Sequence, residues 1–414
     1  MTTLSGLGRR LVGRPEALDR REFLRTAGVS AAALGAMFAA AEGGFAQNIG
    51  AQEIAGPDAP EIAKPEHEVR FSVCGMSHDH IYGMVEAMIR GGGKLVSVYA
   101  AEPERDAAFV KRYPNAKLAK TEQEVIGDPS VQLILSSAIP NYRAEIGIRA
   151  MKAGKDYLSD KPGLTTLAQL DEVRKTIAAT GKIYAIMYSE RLEVKAAVKA
   201  GYLVQAGAIG KVIQTINIAP HQIVQKGGDA GGGTGRPEWF WHPEQYGGIL
   251  CDIGSHQVDQ FLYYTGSTHA DVVASQVANV RHHDKPEFQD FGDMMFHGNK
   301  GFGYVRLDWF TPNGLGTWGD GRLFILGTDG YMELRKYTDV AAPAGRTGGN
   351  HLYIVDAKQA RYIDCNNVML PFGPQFIADV ANRTHVAQDQ TQCLLAMELV
   401  VRAQMAAKHQ VIEG

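Results

Sequence analysis

From Val69 onward the chain alternates short apolar runs with longer amphipathic ones. Val69, Phe71 and Val73 alternate with polar neighbours, the period of a strand. A turn follows, Gly75-Met76-Ser77-His78-Asp79-His80, and then Ile81, Met84, Val85 and Met88 recur at helical spacing. Leu95 to Tyr99 reads as a second strand. The pattern continues with a strand from Val131 to Ser136, a helix around Ile146 to Met151 and a strand ending near Leu158. A helix from Thr166 to Ala179 and a strand from Ile183 to Met187 complete it. Strands alternating with helices predict a parallel sheet, and strand, glycine turn, helix, strand is the opening unit of a dinucleotide-binding fold.

Beyond about residue 192 the pattern changes. A helix from Val194 to Val204 precedes strands at Val212 to Ala219, Val272 to Val280, Asp293 to His297 and Gly303 to Trp309. Alternating valine and aromatic residues between turns predict a sheet of hairpins. The segment from Lys226 to Arg236 holds six glycines and leads into Trp239-Phe240-Trp241. Such a loop can close aromatic faces on a sugar, which makes Trp239 and Trp241 substrate candidates; the alternative is that they pack in the core. The segment from Phe376 to Lys408 reads as helical.

Ahead of residue 69 the pattern is not that of a fold. Arg20-Arg21-Glu22-Phe23-Leu24 precedes a small apolar run from Ala27 to Ala41 and the small-x-small site Gly44-Phe45-Ala46. Positive region, apolar region and cleavage site in that order describe a secretory signal, and the paired arginines resemble the twin-arginine export signal. The apolar run is shorter than the roughly 20 residues that span a bilayer. Residues 1–46 are therefore expected to be a leader and 47–68, with Pro57, Pro60 and Pro65, an extended linker. The expectation is a periplasmic or otherwise exported protein. A chain of 414 residues then leaves room for two domains, 69–191 and 192–414. Composition (45% hydrophobic, 21% charged) is that of a globular protein, and a formal charge of -3 gives no reason to expect nucleic acid. Cys74, Cys251, Cys365 and Cys393 are too far apart for a zinc pattern and read as buried thiols.

The glycine turn is imperfect. Gly75 keeps the first position of G-x-G-x-x-G, while Ser77 and His80 hold the second and third. Ser77 is small enough to let backbone amides reach a pyrophosphate, and His78 or His80 could donate to phosphate. No acid ends the second strand; Glu102 and Arg105 follow Ala100 and Ala101. Glu102 suits the ribose hydroxyls of NAD, Arg105 the 2′-phosphate of NADP, and the choice stays open. His78-x-His80 and His282-His283-Asp284 raise the question of a metal. Neither brings a third or fourth ligand at helical spacing, so no metal is expected.

Two further motifs carry chemistry. Ser159-Asp160-Lys161-Pro162 ends a strand at the crevice edge, and Gly247-Gly248-Ile249-Leu250-Cys251-Asp252-Ile253-Gly254-Ser255-His256 places Asp252 and His256 at i and i+4. A histidine suits the base that takes a hydroxyl proton, a lysine can stabilise the developing oxyanion, and a carboxylate can support the histidine or bind a sugar hydroxyl. In order and spacing these segments resemble the glucose–fructose oxidoreductase/inositol dehydrogenase (Gfo/Idh/MocA) family over about residues 69 to 410. The resemblance implies an α/β chain: an N-terminal Rossmann domain, then an α+β domain with an open, mostly antiparallel sheet. It also implies C-terminal helices packed back on the first domain. It makes Lys161, His256 and Asp252 catalytic and substrate-binding, with Asp160 in place of the family's glutamate. Ile139, Pro140, Asn141, Asp160, Lys161, Pro162 and Arg191 would join Gly75, Ser77, His78, His80, Glu102 and Arg105 around the cofactor. One departure is Pro140-Asn141-Tyr142-Arg143, one residue short of the family's Pro-Asn-x-x-His and with Arg143 in place of histidine.

The expected function is oxidation of a secondary hydroxyl of a sugar, polyol or glycoside by tightly bound NAD(P). An exported enzyme would have to carry its coenzyme folded through the twin-arginine machinery. The same residues also admit an NAD-dependent glycosidase that oxidises transiently, or a non-catalytic binding protein of the same fold. A homo-oligomer, dimer or tetramer, is expected from the resemblance alone.

Overall fold

The computed structural model describes residues 61–223, 236–343 and 346–412. The expected leader, the linker up to residue 60 and residues 224–235 of the glycine-rich segment lie outside them. The described end of the linker is tied to Asn382, whose side chain accepts from the Glu66 N–H at 2.8 Å and donates to the Lys64 carbonyl at 3.1 Å.

The apolar alternations at the start become parallel strands. β1 (Arg70–Cys74), α1 (His80–Arg90), β2 (Lys94–Tyr99), α2 (Pro103–Arg112), β3 (Lys117–Leu118) and α3 (Glu122–Ile126) form one half. β4 (Leu133–Ser136), α4 (Pro140–Lys152), β5 (Asp156–Asp160), α5 (Leu167–Thr180) and β6 (Tyr184–Met187) form the other. The order across the sheet is β3-β2-β1-β4-β5-β6, every pair parallel. Helices cover both faces of the sheet, and β4, β5 and the edge strand β6 are buried at every residue. The chain returns from the β3 edge to the middle at β4. The carboxyl ends of β1 and β4 therefore flank the crevice where such folds take a ligand. Two boundaries differ from expectation and both matter. The helix expected near Ile146 already begins at Pro140, because proline's fixed φ and missing N–H suit the first helical position. β5 runs on to Asp160, which makes the acid of the first motif the last residue of a strand.

α6 (Ser189–Leu192) and α7 (Lys195–Gln205) lead to β7 (Val212–Pro220). A 3-10 turn (Glu238–Trp241), α8 (Pro243–Tyr246), α9 (Ile249–Asp252) and α10 (Gly254–Thr265) precede β8 (Ala270–Ala278), β9 (Phe291–Gly298) and β10 (Gly301–Asp308). Then come β11 (Arg322–Gly327), β12 (Gly330–Arg335), β13 (His351–Asp356), β14 (Ala360–Asp364), α11 (Phe372–Asn382), α12 (Gln390–Ala406) and β15 (Lys408–Gln410). The second sheet has the order β14-β13-β12-β11-β7-β10-β9-β8-β15. It is not purely hairpins: β7 lies parallel to β10, and β15 parallel to β8.

α10 packs on one face of this sheet, where Phe261 is fully buried and stacks on Phe296 at 5.7 Å. Register puts Met295, Tyr304, Ile216 and Phe324 on the opposite face, with Phe302, Leu326 and Tyr331 one step along. Of these, Met295, Phe302 and Tyr331 are 46%, 48% and 36% exposed. The C-terminal helices return to the first domain. α11 meets α1 where a Cβ on Gly91 would lie 2.5 Å from the Gly373 carbonyl, and α12 accepts the Tyr184 N–H of β6 through Gln390 at 2.8 Å. Replacing Phe261→Ala empties the space under α10. It should lower stability by about 3–5 kcal/mol, read as a fall in the denaturation midpoint.

Candidate active site at the domain junction

The chain leaves β1 through Gly75 at φ +82°, where a side chain would be strained and a Cβ would lie 2.8 Å from Ala138 Cβ. Only glycine lets the ends of β1 and β4 come this close. Ser77 Oγ donates to Glu102 Oε1 at 2.7 Å, and Arg105 donates to the Met76 carbonyl and to Asp79, both at 3.1 Å. Glu102 stands at the N-cap position of α2, three residues past the end of β2 and close to the place of the acid that grips a ribose in such folds. Ser77, Glu102 and Arg105 are thus joined around one turn. His80 opens α1, and its Nδ1 lies 2.9 Å from Asp160 Oδ1. The His78 ring stands 4.1 Å from that of His80, and burial holds His78 well below the usual histidine range, with His80 adding to the effect.

Arg143, the residue out of place in the motif, is fully buried in α4. Its Nε donates to the Ala138 carbonyl at 2.6 Å, and its Nη1 donates to the Lys161 and Pro162 carbonyls. Its Nη2 stands 3.0 Å from Asp160 Oδ2, an ion pair rather than an aligned hydrogen bond. Burial alone would push Asp160 up, but His80 and Arg143 outweigh it and hold the carboxyl well below the usual range. Asp160 Oδ1 also accepts the Lys161 N–H at 2.7 Å, and the Lys161–Pro162 peptide is cis. The backbone on both sides of the lysine is therefore clamped by one guanidinium and one carboxylate.

From that clamp the Lys161 side chain crosses to the second domain, where Nζ meets Asp252 Oδ1 at 3.0 Å. Asp252 ends α9, and Gly248 before it has φ +81° with no room for a Cβ beside Gln404. His256 sits in the first turn of α10, 2% exposed, with Nδ1 lacking any protein partner. Burial holds it well below the usual histidine range, and Glu190 pulls the other way. Here the expectation needs correction: Asp252 bonds the lysine, and the carboxylate acting most on His256 is Glu190, with Asp160 adding to it. Glu190 accepts from Lys336 Nζ at 2.8 Å and from Gln257 Nε2 at 3.0 Å, all three buried. Burial pushes Glu190 up, yet Lys336 and the nearby histidines bring it down to about 2. His221, just past β7, also belongs here: burial lowers it to about 4, and it feels Glu190, Lys161 and Asp252.

Pro140 and Ile139 start α4 beside the clamp, and Asn141 Oδ1 is buried without a partner. Arg191 departs from the cofactor expectation. Its guanidinium makes two bonds to Asp259 at 2.5 and 3.0 Å and lies 4.4 Å over the Tyr263 ring, so it belongs to the packing of α10 on α6. Trp241 also departs. In a 3-10 helix, with three residues per turn, positions two apart point to different sides. Trp239 accordingly lies 6.3 Å from His78, whereas Trp241 packs against Phe288 at 4.9 Å. The reason given against a metal at His78 and His80 also fails, because Asp160 is a third donor within 4.8 Å. Arg143 beside Asp160 already supplies the balancing charge there. His282 pairs with Asp290 at 2.9 Å instead of with Asp284.

Sequence reasoning missed Glu190, Lys336 and His221. A Glu-Arg pair inside the apolar context Met187-Tyr188-Ser189-Glu190-Arg191-Leu192 was the available signal, since neighbouring charges there must be buried and paired. Lys336 follows a strand that was not recognised, so nothing marked it. Arg191→Met leaves Asp259 uncompensated in the interior. It should cost about 3–5 kcal/mol while leaving the Kd for NAD or NADP within twofold; a tenfold weaker Kd by titration would return Arg191 to the crevice.

Residues 69–188 match the family model described as an oxidoreductase family with an NAD-binding Rossmann fold, and residues 197–333 match the Gfo/Idh/MocA C-terminal domain. A solved oxidoreductase structure from Erwinia carotovora atroseptica is 44% identical, with TM-score 0.78 over 83% of this chain and 100% of that one. Levoglucosan dehydrogenase, solved with NADH and levoglucosan, shares the fold at TM-score 0.65 and 15% identity over 82% of this chain and 96% of its own. Among curated proteins, 1,5-anhydro-D-fructose reductase of Ensifer adhaerens is 26% identical over 50% of this chain and 59% of its own. The scyllo-inositol 2-dehydrogenase (NAD(+)) of Bacillus subtilis is 24% identical over 59% of this chain and 65% of its own. The chain spans 61%, 49% and 59% of the first three curated relatives it matches. With both domain models matched in order and a 44% identical structure covered end to end, the chain belongs to the Gfo/Idh/MocA oxidoreductase family.

Proposed function

We propose that the chain is an NAD(P)-dependent oxidoreductase that removes a hydride from a secondary hydroxyl of a sugar, polyol or glycoside. One observation carries the reading: a lysine–carboxylate pair joins the two domains at the open end of a dinucleotide crevice, with buried His256 four residues beyond the carboxylate. The relatives 1,5-anhydro-D-fructose reductase, scyllo-inositol 2-dehydrogenase and levoglucosan dehydrogenase are named for polyhydroxylated rings, which supports the substrate class.

The crevice residues fit a dinucleotide. Gly75 leaves the close approach that a pyrophosphate needs, Glu102 stands where a ribose is gripped, and Asn141 Oδ1 is a buried acceptor without a partner. Bound there, the nicotinamide ring would take the hydride from the substrate carbon. His256 is held neutral by burial, so its imidazole can accept the hydroxyl proton. Lys161 donates to the same oxygen and offsets the negative charge that develops on it. Asp252 aims Lys161, and Glu190 offsets the positive charge that His256 acquires. Closed between the two domains, these groups act where water screens them little.

Two further features complete the reading. Residues 1–46 carry the pattern of a twin-arginine signal, which supports export to the periplasm with the coenzyme already bound. The exposed apolar face around Met295, Phe302 and Tyr331 supports a homo-oligomer formed sheet to sheet.

Purified without added coenzyme and then denatured, the protein should release NAD or NADP. Lys161→Ala should lower kcat about a hundredfold or more while leaving the coenzyme Kd within a few-fold, because the lysine works on the substrate oxygen. A base whose pKa is lowered stays deprotonated to lower pH. The acid limb of kcat/KM should therefore lie below pH 6.5, the ordinary histidine value. Glu190→Gln removes the charge that favours imidazolium and should move that limb further to acid. A limb unmoved by Glu190→Gln would remove His256 as the base.

A further inference from the structure

The turn after β1 and the loop after β2 are docked on each other by side-chain contacts. Ser77 Oγ donates to Glu102 Oε1 at 2.7 Å, and Arg105 Nη1 donates to Asp79 Oδ1 and to the Met76 carbonyl, both at 3.1 Å. Met76, Ser77 and Asp79 belong to the glycine turn, where the phosphates of a dinucleotide would lie. Glu102 and Arg105 belong to the stretch just past β2, where the adenosine ribose and its 2′ substituent would lie.

Asp79 stands at the N-cap of α1, a position where an aspartate ordinarily accepts the helix's own N–H groups. It makes no such bond, and its carboxylate pairs with Arg105 instead. The guanidinium is thereby drawn onto the turn with its charge met. Both side chains are partly exposed, 39% for Asp79 and 22% for Arg105, so the ion pair alone is weak; the Met76 carbonyl fixes the arginine in the same place.

What remains at the end of β2 is acidic. Asp106 Oδ1 takes the Ala100 N–H, the first backbone donor past β2, at 2.9 Å. Burial holds the Asp106 carboxyl above its usual range, opposed by that N–H and helped by the charge of Glu102. Ribose hydroxyls can donate to such carboxylates. A 2′-phosphate carries up to two negative charges and looks for N–H donors. Here it would meet carboxylates, with Arg105 held on the turn.

We propose that Asp79, by holding Arg105 on the turn, makes the crevice select NAD over NADP. The inference rests on the coenzyme part of the proposed function and narrows it. The residues between Gly75 and α1 then set the coenzyme together: Ser77 orients Glu102, and Asp79 restrains Arg105.

The test uses the purified full chain and needs no turnover. The protein is dialysed to a constant ratio against an equimolar excess of NAD and NADP, and bound nucleotides are released by denaturation and counted by mass spectrometry. In the wild type NAD should exceed NADP about tenfold or more. Asp79→Asn and Asp79→Ser free the arginine without removing a helix cap. Each should lower the NAD to NADP ratio about three- to tenfold, the worth of one charge-assisted bond. Adding Arg105→Met to Asp79→Asn keeps the local charge of the wild type and should restore its ratio. Equal or tighter binding of NADP by the wild type overturns the inference, as does a ratio unmoved by both Asp79 substitutions or one that stays low without Arg105. If both coenzymes bind without discrimination, the inference falls and the oxidoreductase reading stands. If neither binds, both fall.

Discussion

A guanidinium placed in a protein interior must have its N–H groups met, or it costs several kcal/mol. Arg143 is met by the Ala138, Lys161 and Pro162 carbonyls and by Asp160. Because two of those acceptors bracket the lysine's own backbone, satisfying the arginine also settles where Lys161 starts and which way it leaves. Asp160, one methylene shorter than the family's glutamate, is compatible with this arrangement because it ends β5 beside α4, within reach of both Arg143 and His80. The altered turn, the shortened acid and the misplaced arginine are thus one set, joined by a hydrogen bond from His80 and an ion pair from Arg143 to Asp160, rather than three separate departures.

The second half of the site is built by two consecutive residues at the domain boundary. Glu190 and Arg191 each take a buried partner from the second domain, Lys336 and Asp259. Breaking either pair would strand a charge in the interior, so the junction is held in one arrangement. The same pairs set the electrostatics: an anion beside two neutral histidines, buried His256 and half-buried His221. Structure and chemistry at the junction are therefore the same contacts.

Much of this was legible in the chain. The period-two and period-3.6 runs located the Rossmann elements, and Lys161, Asp252 and His256 stood out by type and spacing. What the sequence concealed was long-range pairing. Nothing local distinguishes an aspartate that aims a lysine from one that aims a histidine, and Asp252 proved to do the first. Arg191 looked like a cofactor contact because its partner Asp259 lies 68 residues away. Strands β11 to β14 went unrecognised although Leu323 and Ile325 alternate with half-exposed neighbours, since the outer face is itself apolar and blurs the period. Trp239 and Trp241 looked equivalent until the 3-10 turn sent them apart.

On this arrangement Arg143 acts on catalysis through the position of Lys161. A double-substitution cycle tests it most directly: kcat of the coenzyme-loaded wild type, Arg143→Lys, Lys161→Ala and the double variant, with the best sugar substrate. If the account is right, Arg143→Lys lowers kcat at least tenfold on its own and has almost no further effect once Lys161 is gone. An equal loss in both backgrounds would contradict it and make the arginine a support of the fold alone.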